Sequence, residues 1–471
     1  MTFVVYNSLT RSKQPFEPLE PGVVRMYNCG PTVYNRQHVG NFRAFLFSDL
    51  LRRWLEHCGY EVRQVMNITD VGHLLGEHEE GEDRVEARAR AENLSPWDIS
   101  RENAETFLRD LATLGVQPAM VYPRATDHIP EMLEMIEGLI EKGCAYQVDG
   151  NVYFDVTKFA RYGRLSGNRI EDLEAGARIE INEEKRHPAD FALWKSDPQH
   201  IMKWVSRFGP DGFPGWHIEC SAMARKHLGD RIDIHTGGED NVFPHHECEI
   251  AQTECFTGRP FANYWMHTRF LQVDGGKMSK SLGNVYTVDD VLERGFSART
   301  LRFALLRAHY RQPINFTWEG MKDAQAALES LDDLVRRLRR TAAAPGGDGA
   351  VGGGELLAEA RATFEDSMND DLNVSGALSA LYTLRSQVIE DRLSPGVARA
   401  ALEFLEGVNA VLGVVDLQEQ TLDADVEALI ARRQTARADK DWAEADRIRD
   451  ELLARDIVLE DGPAGVTWRR K

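Results

Sequence analysis

Long apolar runs are missing from this 471-residue chain. No stretch approaches the ~20 consecutive apolar residues of a membrane-spanning helix, so a bundle of spanning helices is excluded and no membrane partner is expected. A secretion signal is missing too. The opening MTFVVYNSLTRSK has neither a long apolar core nor a small-residue cleavage site, so a cytoplasmic location is expected. Cysteine is scarce, with six residues in all. That excludes a disulfide scaffold and fits a reducing compartment, where thiols bind metal or sit buried. Positive charge is in deficit: 56 Lys and Arg face 75 Asp and Glu, a net −19. A sequence-blind DNA coat is thereby excluded, since such proteins are basic. A local basic surface can still meet nucleic acid within an acidic whole. Arg336, Arg337, Arg339 and Arg340 form one such cluster, and Arg469-Arg470-Lys471 another. Each reads more simply as a solvated helix end and a tail. No internal repeat is evident.

What is present is the balance of a globular protein, 42 % hydrophobic and 28 % charged residues. At roughly 150 residues per domain the length suggests about three domains. Val23–Tyr27 reads as a strand, followed by a loop and a helix from about Val39 to His57, with Gly59 as a stop. Glu61–Thr69 reads as a second strand. Strand, helix and strand at this spacing predict parallel neighbours with a right-handed crossover. Ligands of such sheets sit at the carboxyl ends of the strands, where Cys29, His38 and Thr69 fall. Residues 77–92 are charged and read as a solvated helix or loop, and residues 126–142 as an amphipathic helix. The Gly-, Pro- and charge-rich residues 150–214 read as an insertion. Regular structure returns with a strand over 231–235 and a helix over about 243–256. Further helices are expected over 318–340, 355–390 and 398–412. Six glycines between Pro345 and Gly354 mark a linker. A last module over 425–471 combines two helices, with Trp442 read as core, and a closing hairpin.

Three constellations can carry chemistry. His38-Val39-Gly40-Asn41 stands where the first strand hands over to its helix. Free N–H groups and the positive dipole end suit phosphate there, Gly40 lets a nucleotide approach, and His38 can stabilise developing charge. Lys277-Met278-Ser279-Lys280-Ser281 places two lysines three apart, a clamp for polyphosphate. Cys29, Cys220, His245 and Glu249 offer two thiolates, an imidazole and a carboxylate, a set that suits zinc. On a helix His245 and Glu249 share a face. His246, Glu247, Cys248 and Cys255 are competing ligands by composition, although Cys248 falls off that face.

The first two constellations resemble the "HIGH" and "KMSKS" signatures of class I aminoacyl-tRNA synthetases. Cys29-Gly30-Pro31-Thr32-Val33-Tyr34, Asn67-Ile68-Thr69-Asp70, the run Gly215–Met223, the run Phe243–Gln252 and Asn263–His267 narrow the resemblance to the cysteinyl-tRNA synthetases. So do Ile457–Pro463 and Trp468–Lys471 at the end of the sequence. The likeness spans nearly the whole chain. It implies an α/β fold: a Rossmann-type parallel-sheet catalytic domain with an insertion, then an all-α helical bundle and a small α+β C-terminal module. The corresponding domains are residues 1–125 and 215–296 as the two catalytic halves, 126–214 as the insertion, and 297–344 as a helical stem. Residues 345–354 are the linker, 355–416 the tRNA-binding bundle and 425–471 the anticodon-binding module.

The resemblance also implies roles. Cys29, Cys220, His245 and Glu249 hold one zinc ion per chain. His38, Asn41, Lys277 and Lys280 are catalytic, with His38, Gly40 and Lys280 binding ATP, which enters with Mg2+. Thr69, Trp216 and His235 line the cysteine site. Asp461, Trp468 and Arg469 meet the tRNA. The implied reaction activates L-cysteine with ATP to cysteinyl-adenylate and passes the cysteinyl group to the 3′ end of tRNA(Cys), with zinc selecting the substrate thiolate. The partners are tRNA(Cys), L-cysteine and ATP, without DNA, and the protein is expected to act as a monomer. Asn41 departs from the signature's final histidine and cannot carry its charge. Asp70-Val71-Gly72-His73-Leu74 departs from the Asp-rich pattern that follows in the family. A cysteine–amino-sugar ligase of the mycothiol type resembles the same catalytic half, but has no use for residues 425–471. A zinc hydrolase built on His245, His246 and Glu247 fails the His-Glu-x-x-His spacing and leaves Lys277–Ser281 without purpose. A non-catalytic RNA-binding paralogue would have no need of His38, Lys277, Lys280 and all four metal candidates.

Overall fold

The computed structural model describes residues 2–71, 83–170, 184–278, 283–344, 354–390, 393–418, 424–455, 457–462 and 465–470. The chain divides into a unit Met1–Asp416 and a unit Leu417–Lys471. The expected linker over 345–354 falls outside the described residues apart from Gly354. No described helix is long and apolar enough to cross a membrane.

In the first unit, β1 (Val4–Asn7) and β2 (Ser12–Pro15) form an antiparallel hairpin. Then come β3 (Val23–Asn28), α1 (Val39–His57) and β4 (Glu61–Met66). β3 and β4 pair in parallel from Val23↔Glu61 to Asn28↔Met66, as the spacing requires. α1 packs Val39, Phe42, Leu46, Leu50, Leu51 and Trp54 inward, at helical intervals, all buried. Each such side chain contributes about 1.5–3 kcal/mol by leaving water. The helix ends before Gly59, whose φ of +90° only glycine adopts without strain.

Helices α2 (Arg84–Glu92), α3 (Pro96–Thr113) and α4 (Ile129–Glu141) follow. The insertion is a sheet of its own. β5 (Ala145–Val148), β6 (Asn151–Phe154), β7 (Phe191–Ser196), β8 (Trp204–Ser206) and β9 (Gly209–Pro214) pair antiparallel in the order β5-β6-β7-β9-β8. The chain then returns to the parallel sheet through α5 (Trp216–Leu228) and β10 (Ile232–Gly238). α6 (Glu247–Thr257) and β11 (Ala262–Thr268) complete it, in the order β11-β10-β3-β4. The expected helix over 243–256 starts late. Val242–His246 forms a wider π-type turn containing Phe243 at φ −142°, ψ 134°, because Pro244 supplies no N–H to a regular ladder.

β12 (Leu271–Val273) and β13 (Gly276–Lys277) lead to α7 (Val288–Glu293), α8 (Ala298–Leu306), β14 (Ile314–Phe316) and α9 (Trp318–Ala343). The pattern read as helical over 355–390 is two helices, α10 (Gly354–Asn369) and α11 (Val374–Glu390). Asp371 and Leu372 break it with φ of +61° and +55°. The buried Asp371 carboxylate accepts from Tyr6 N at 2.8 Å, Tyr310 Oη at 2.6 Å and Arg311 Nε at 2.8 Å. α12 (Pro395–Leu412) ends at Gly413, φ +66°. Arg302 of α8 fastens this helix end to α1. Its guanidinium donates to Leu412 O at 2.7 Å and to Asp49 Oδ2 of α1 at 2.6 Å.

In the second unit, α13 (Ala424–Ala438) and α14 (Trp442–Ala454) precede the hairpin of β15 (Ile457–Gly462) and β16 (Gly465–Arg470). Val426, Ile448, Leu452, Ile457 and Leu459 form its core. Trp442 is not part of that core: it is 58 % exposed at the first position of α14.

Candidate active site

The site lies at the carboxyl ends of the parallel strands, where a cavity of about 490 Å³ opens. That volume falls within the range of small-molecule sites. Its lining includes Cys29, directly after β3, and His38, Gly40 and Asn41 at the start of α1. The loop between them is pinned. Cys29 N donates to Thr236 O at 3.0 Å, and Gly30 N to Asn67 Oδ1 at 2.8 Å. A Cβ on Gly30 would stand 1.7 Å from Asn67 O, so only glycine permits this approach.

His38 is the N-cap of α1. Its Nδ1 accepts from Asn41 N at 3.3 Å, while Asn41 Oδ1 accepts from His38 N at 3.1 Å. This reciprocal capping box gives Asn41 a physical reason that charge does not. Asparagine closes the box and holds the imidazole against the helix end. Met278 reaches the same place: a Cβ on Gly40 would lie 2.4 Å from Met278 Cε. The two sequence signatures are thus neighbours in space. Lys277 follows Gly276 in β13, with its backbone opposite Gln272. The Lys277 side chain and all of Lys280 lie outside the described residues.

At the Cys29 end, one donor atom each from Cys29, Cys220, His245 and Glu249 lies within 4.8 Å of the others. They come from the end of β3, from α5, from the π-type turn and from α6. Despite the irregular turn, His245 Nε2 and Glu249 Oε1 are 3.1 Å apart. Cys29, His235, His246 and Glu249 form a second, overlapping group under the same limit, and His246 Nε2 is 3.1 Å from Cys29 Sγ. Cys248 takes no part. It is buried, with its sulfur 3.5 Å from Tyr162 Oη. Glu247 also turns elsewhere, accepting from Leu165 N and Ser166 N.

Burial pushes the Cys29 thiol well above its ordinary pKa, and the adjacent Cys220 thiol adds to that. Burial raises the Cys220 thiol as well. Surrounding imidazoles are held neutral by the same cause: His217 falls to about 3, and His246 far below its ordinary value. Two thiols, a carboxylate and imidazoles thus converge in a buried place. A soft divalent cation fits that donor set, since it supplies the charge that ionises buried thiols.

The remaining expected residues take several positions. Trp216 stacks on the His245 ring at 4.6 Å and 28°, and His217 Nδ1 meets His245 Nδ1 at 2.8 Å. His235 stands behind the donor set, its Nε2 2.8 Å from Glu249 Oε2 and its ring stacked on Trp265 at 4.6 Å. Thr69 donates to Glu219 Oε2 at 2.8 Å and accepts from Asn67 Nδ2 at 3.1 Å. Asp461, Trp468 and Arg469 belong to the second unit's hairpin, where Leu459 pairs with Trp468 and Asp461 with Val466. The Asp461 and Arg469 side chains lie outside the described residues. The sequence reading missed Tyr27, Trp265 and His267. Strand alternation before Cys29 pointed to Tyr27, and Trp265 and His267 lie in the run Asn263–His267 that carried the resemblance without being given a role.

A profile described as the class I (C) tRNA synthetase catalytic domain matches residues 15–326. A DALR domain matches 363–418, and a cysteinyl-tRNA ligase anticodon binding domain matches 419–469. A cysteine–tRNA ligase of Symbiobacterium thermophilum is 48 % identical, over 99 % of both chains. One from Geobacillus thermodenitrificans is 46 % identical, over 99 % of this chain and 98 % of its own. Among solved structures, a Mycobacterium tuberculosis methionyl-tRNA synthetase superposes with a TM-score of 0.65 at 16 % identity, over 83 % of this chain and 92 % of its own. An Agrobacterium radiobacter leucyl-tRNA synthetase does so at 0.62 and 14 %, over 85 % of each chain. At such identities the likeness speaks for the fold.

Proposed function

The chain belongs to the cysteinyl-tRNA synthetases of class I, and from that premise we propose that it attaches L-cysteine to tRNA(Cys) in two ATP-driven steps, with a zinc ion held by Cys29, Cys220, His245 and Glu249 choosing the substrate. The observation that carries the finer reading is the convergence of those four donor atoms, one of which, on Cys29, belongs to the lining of the cavity that also meets the start of α1. This set is preferred over the overlapping one because it contributes two sulfurs, the softer ligands. When bound, zinc supplies a soft Lewis acid that stabilises a thiolate and offers far less to a serine hydroxyl. A site built to read a group that its competitor lacks discriminates by orders of magnitude, so no editing step is required.

The protein's own residues do the rest. Trp216, stacked on His245, fixes the imidazole plane and walls the substrate side. Thr69 and His235 complete that wall. Beside them the positive dipole end of α1 and the capped His38 receive the ATP phosphates, which enter with Mg2+. Adenylation needs alignment and charge neutralisation rather than covalent help from the enzyme. Gly40 leaves room for the nucleotide, and Lys277 and Lys280 neutralise the pyrophosphate as it departs. The cysteine carboxylate attacks the α-phosphate, and the terminal tRNA ribose then takes the cysteinyl group.

Residues 1–125 and 215–296 act as the catalytic halves around the insertion 126–214. Residues 297–344 serve as the stem, 355–416 as the tRNA-binding bundle and 425–471 as the anticodon module. Asp461, Trp468 and Arg469 meet the tRNA from that module. The enzyme works as a cytoplasmic monomer without a DNA partner.

The test is cysteine-dependent ATP–pyrophosphate exchange without tRNA, with serine as control, on protein assayed for zinc. Exchange with cysteine alone and about one zinc per chain is expected, as is charging of tRNA(Cys) but not of an amino sugar. Absence of exchange in folded, zinc-loaded protein overturns the catalytic reading. Charging of an amino sugar overturns the assignment of tRNA.

A further inference from the structure

Tyr27 lies on β3, two residues before Cys29, so the two side chains leave the strand on the same side. It pairs in register with Val65 of β4 and His235 of β10, and its ring packs on His235 at 5.2 Å. The side chain is wholly buried. Among the described residues no group meets its hydroxyl at full hydrogen-bond geometry, and the one side chain close enough to act on it through a hydrogen bond is Cys220. The ionisable groups around that hydroxyl are Cys220, Glu249 and Cys29, three of the four members of the donor set.

A buried phenol whose one hydrogen-bonding neighbour is a thiol calls for an explanation, because phenylalanine would fill the same space without burying a polar atom. A neutral thiol is a poor acceptor, whereas a thiolate is a strong one. The hydroxyl is thus placed beside a sulfur that becomes a good acceptor only when a cation ionises it. Groups that hydrogen-bond to metal ligands set ligand basicity and metal affinity.

We infer that Tyr27 is a positioning residue of the metal site, donating a hydrogen bond from its hydroxyl to the Cys220 sulfur when the donor set holds zinc. By drawing electron density from that sulfur it leaves the metal more receptive to the thiolate of the incoming cysteine. The inference rests on the zinc reading above.

Tyr27→Phe removes one oxygen and keeps the ring. Zinc affinity, measured by chelator competition, is expected to fall about 10-fold or more. In the cobalt-substituted protein the sulfur-to-metal charge-transfer band is expected to move to longer wavelength, since an unbonded thiolate gives up its electrons more easily. KM for cysteine should rise while KM for ATP stays level. Site-specific 3-fluorotyrosine at position 27, a stronger donor, should move the band the opposite way. Unchanged zinc affinity with an unchanged cobalt spectrum overturns the inference, as does a loss of thermal stability with no spectral change. If the unaltered protein binds no zinc or cobalt, the zinc reading fails first and this inference with it.

Discussion

Asp49 and Glu249 are both buried carboxylates of the first unit, and their surroundings are built on opposite plans. Asp49 Oδ2 accepts from Arg53 at 2.8 Å and Arg302 at 2.6 Å, and its Oδ1 accepts from Gln117 N at 2.8 Å. Arg302 spends its other N–H groups on Leu412, Leu114 and Gly115 carbonyls. Around Glu249 stand His245 at 3.1 Å, His235 at 2.8 Å and Cys29 at 3.9 Å, with no arginine or lysine bonded to it among the described residues. The first cluster carries its own cation and closes on itself. The second gathers acceptors and leaves the cation to come from outside. On this contrast the closed cluster reads as scaffold and the open one as the proposed metal site, although burial alone would rate them alike.

The comparison can be broken by experiment. The largest effect is expected at the open cluster. Glu249→Gln, or stripping zinc with a chelator, should lower cysteine-dependent pyrophosphate exchange at least about 1000-fold, on the scale of discrimination by a single recognised group. The urea midpoints of the metal-free variant and the metal-free unaltered protein should hardly differ. A variant equally active without zinc would make both clusters scaffold. The next largest belongs to the closed cluster. Arg302→Met removes one partner of a buried ion pair and should cost about 3–5 kcal/mol in urea unfolding. KM for cysteine should be unaltered well below the transition.

A smaller effect concerns pH. Burial, aided by His235, holds the His267 imidazole at about 3, below its ordinary 6.5. Its neutral form is the native one, so its contribution is intact above pH 6.5 and is lost as pH falls from there toward 3. The slope from this one group is about 1.4 kcal/mol per pH unit. Urea unfolding of metal-free protein at pH 7 and 5 should show the decline, and His267→Gln should flatten it. An equal slope in both proteins would contradict the neutral assignment. The smallest effect is expected at the capping box, where Asn41→Ala should cost about 1 kcal/mol of stability by thermal or urea unfolding.

Much of this was legible in the residues. The strand–helix–strand spacing of β3, α1 and β4 dictated parallel pairing, and helical periodicity marked α1 and α9 closely. The rest depends on contacts far apart in sequence. The break at Asp371 follows from a bond to Tyr6, 365 residues earlier, and no local pattern encodes it. Pro244 announced an irregular turn, but not that His245 and Glu249 would still meet across it. Asn41 read as a loss of charge, because a capping box is visible only once the helix start is in place. Trp442 fitted a core period, yet at the first turn of its helix it is left largely exposed. Tyr27 was invisible as a site residue, since what meets its hydroxyl is a property of surroundings rather than of spacing.

The order of the sheet sets a timetable for biosynthesis. β3 is flanked by β4, made soon after it, and by β10, made only after the whole insertion. Cys29 and Glu249 are separated by 220 residues. At ~5–20 residues per second, roughly 10–45 s of translation elapse between them. For most of that interval, until Cys220 is made, the nascent chain holds one member of the proposed metal set alone. The ribosome can release a competent enzyme only after the last of the four donors has emerged.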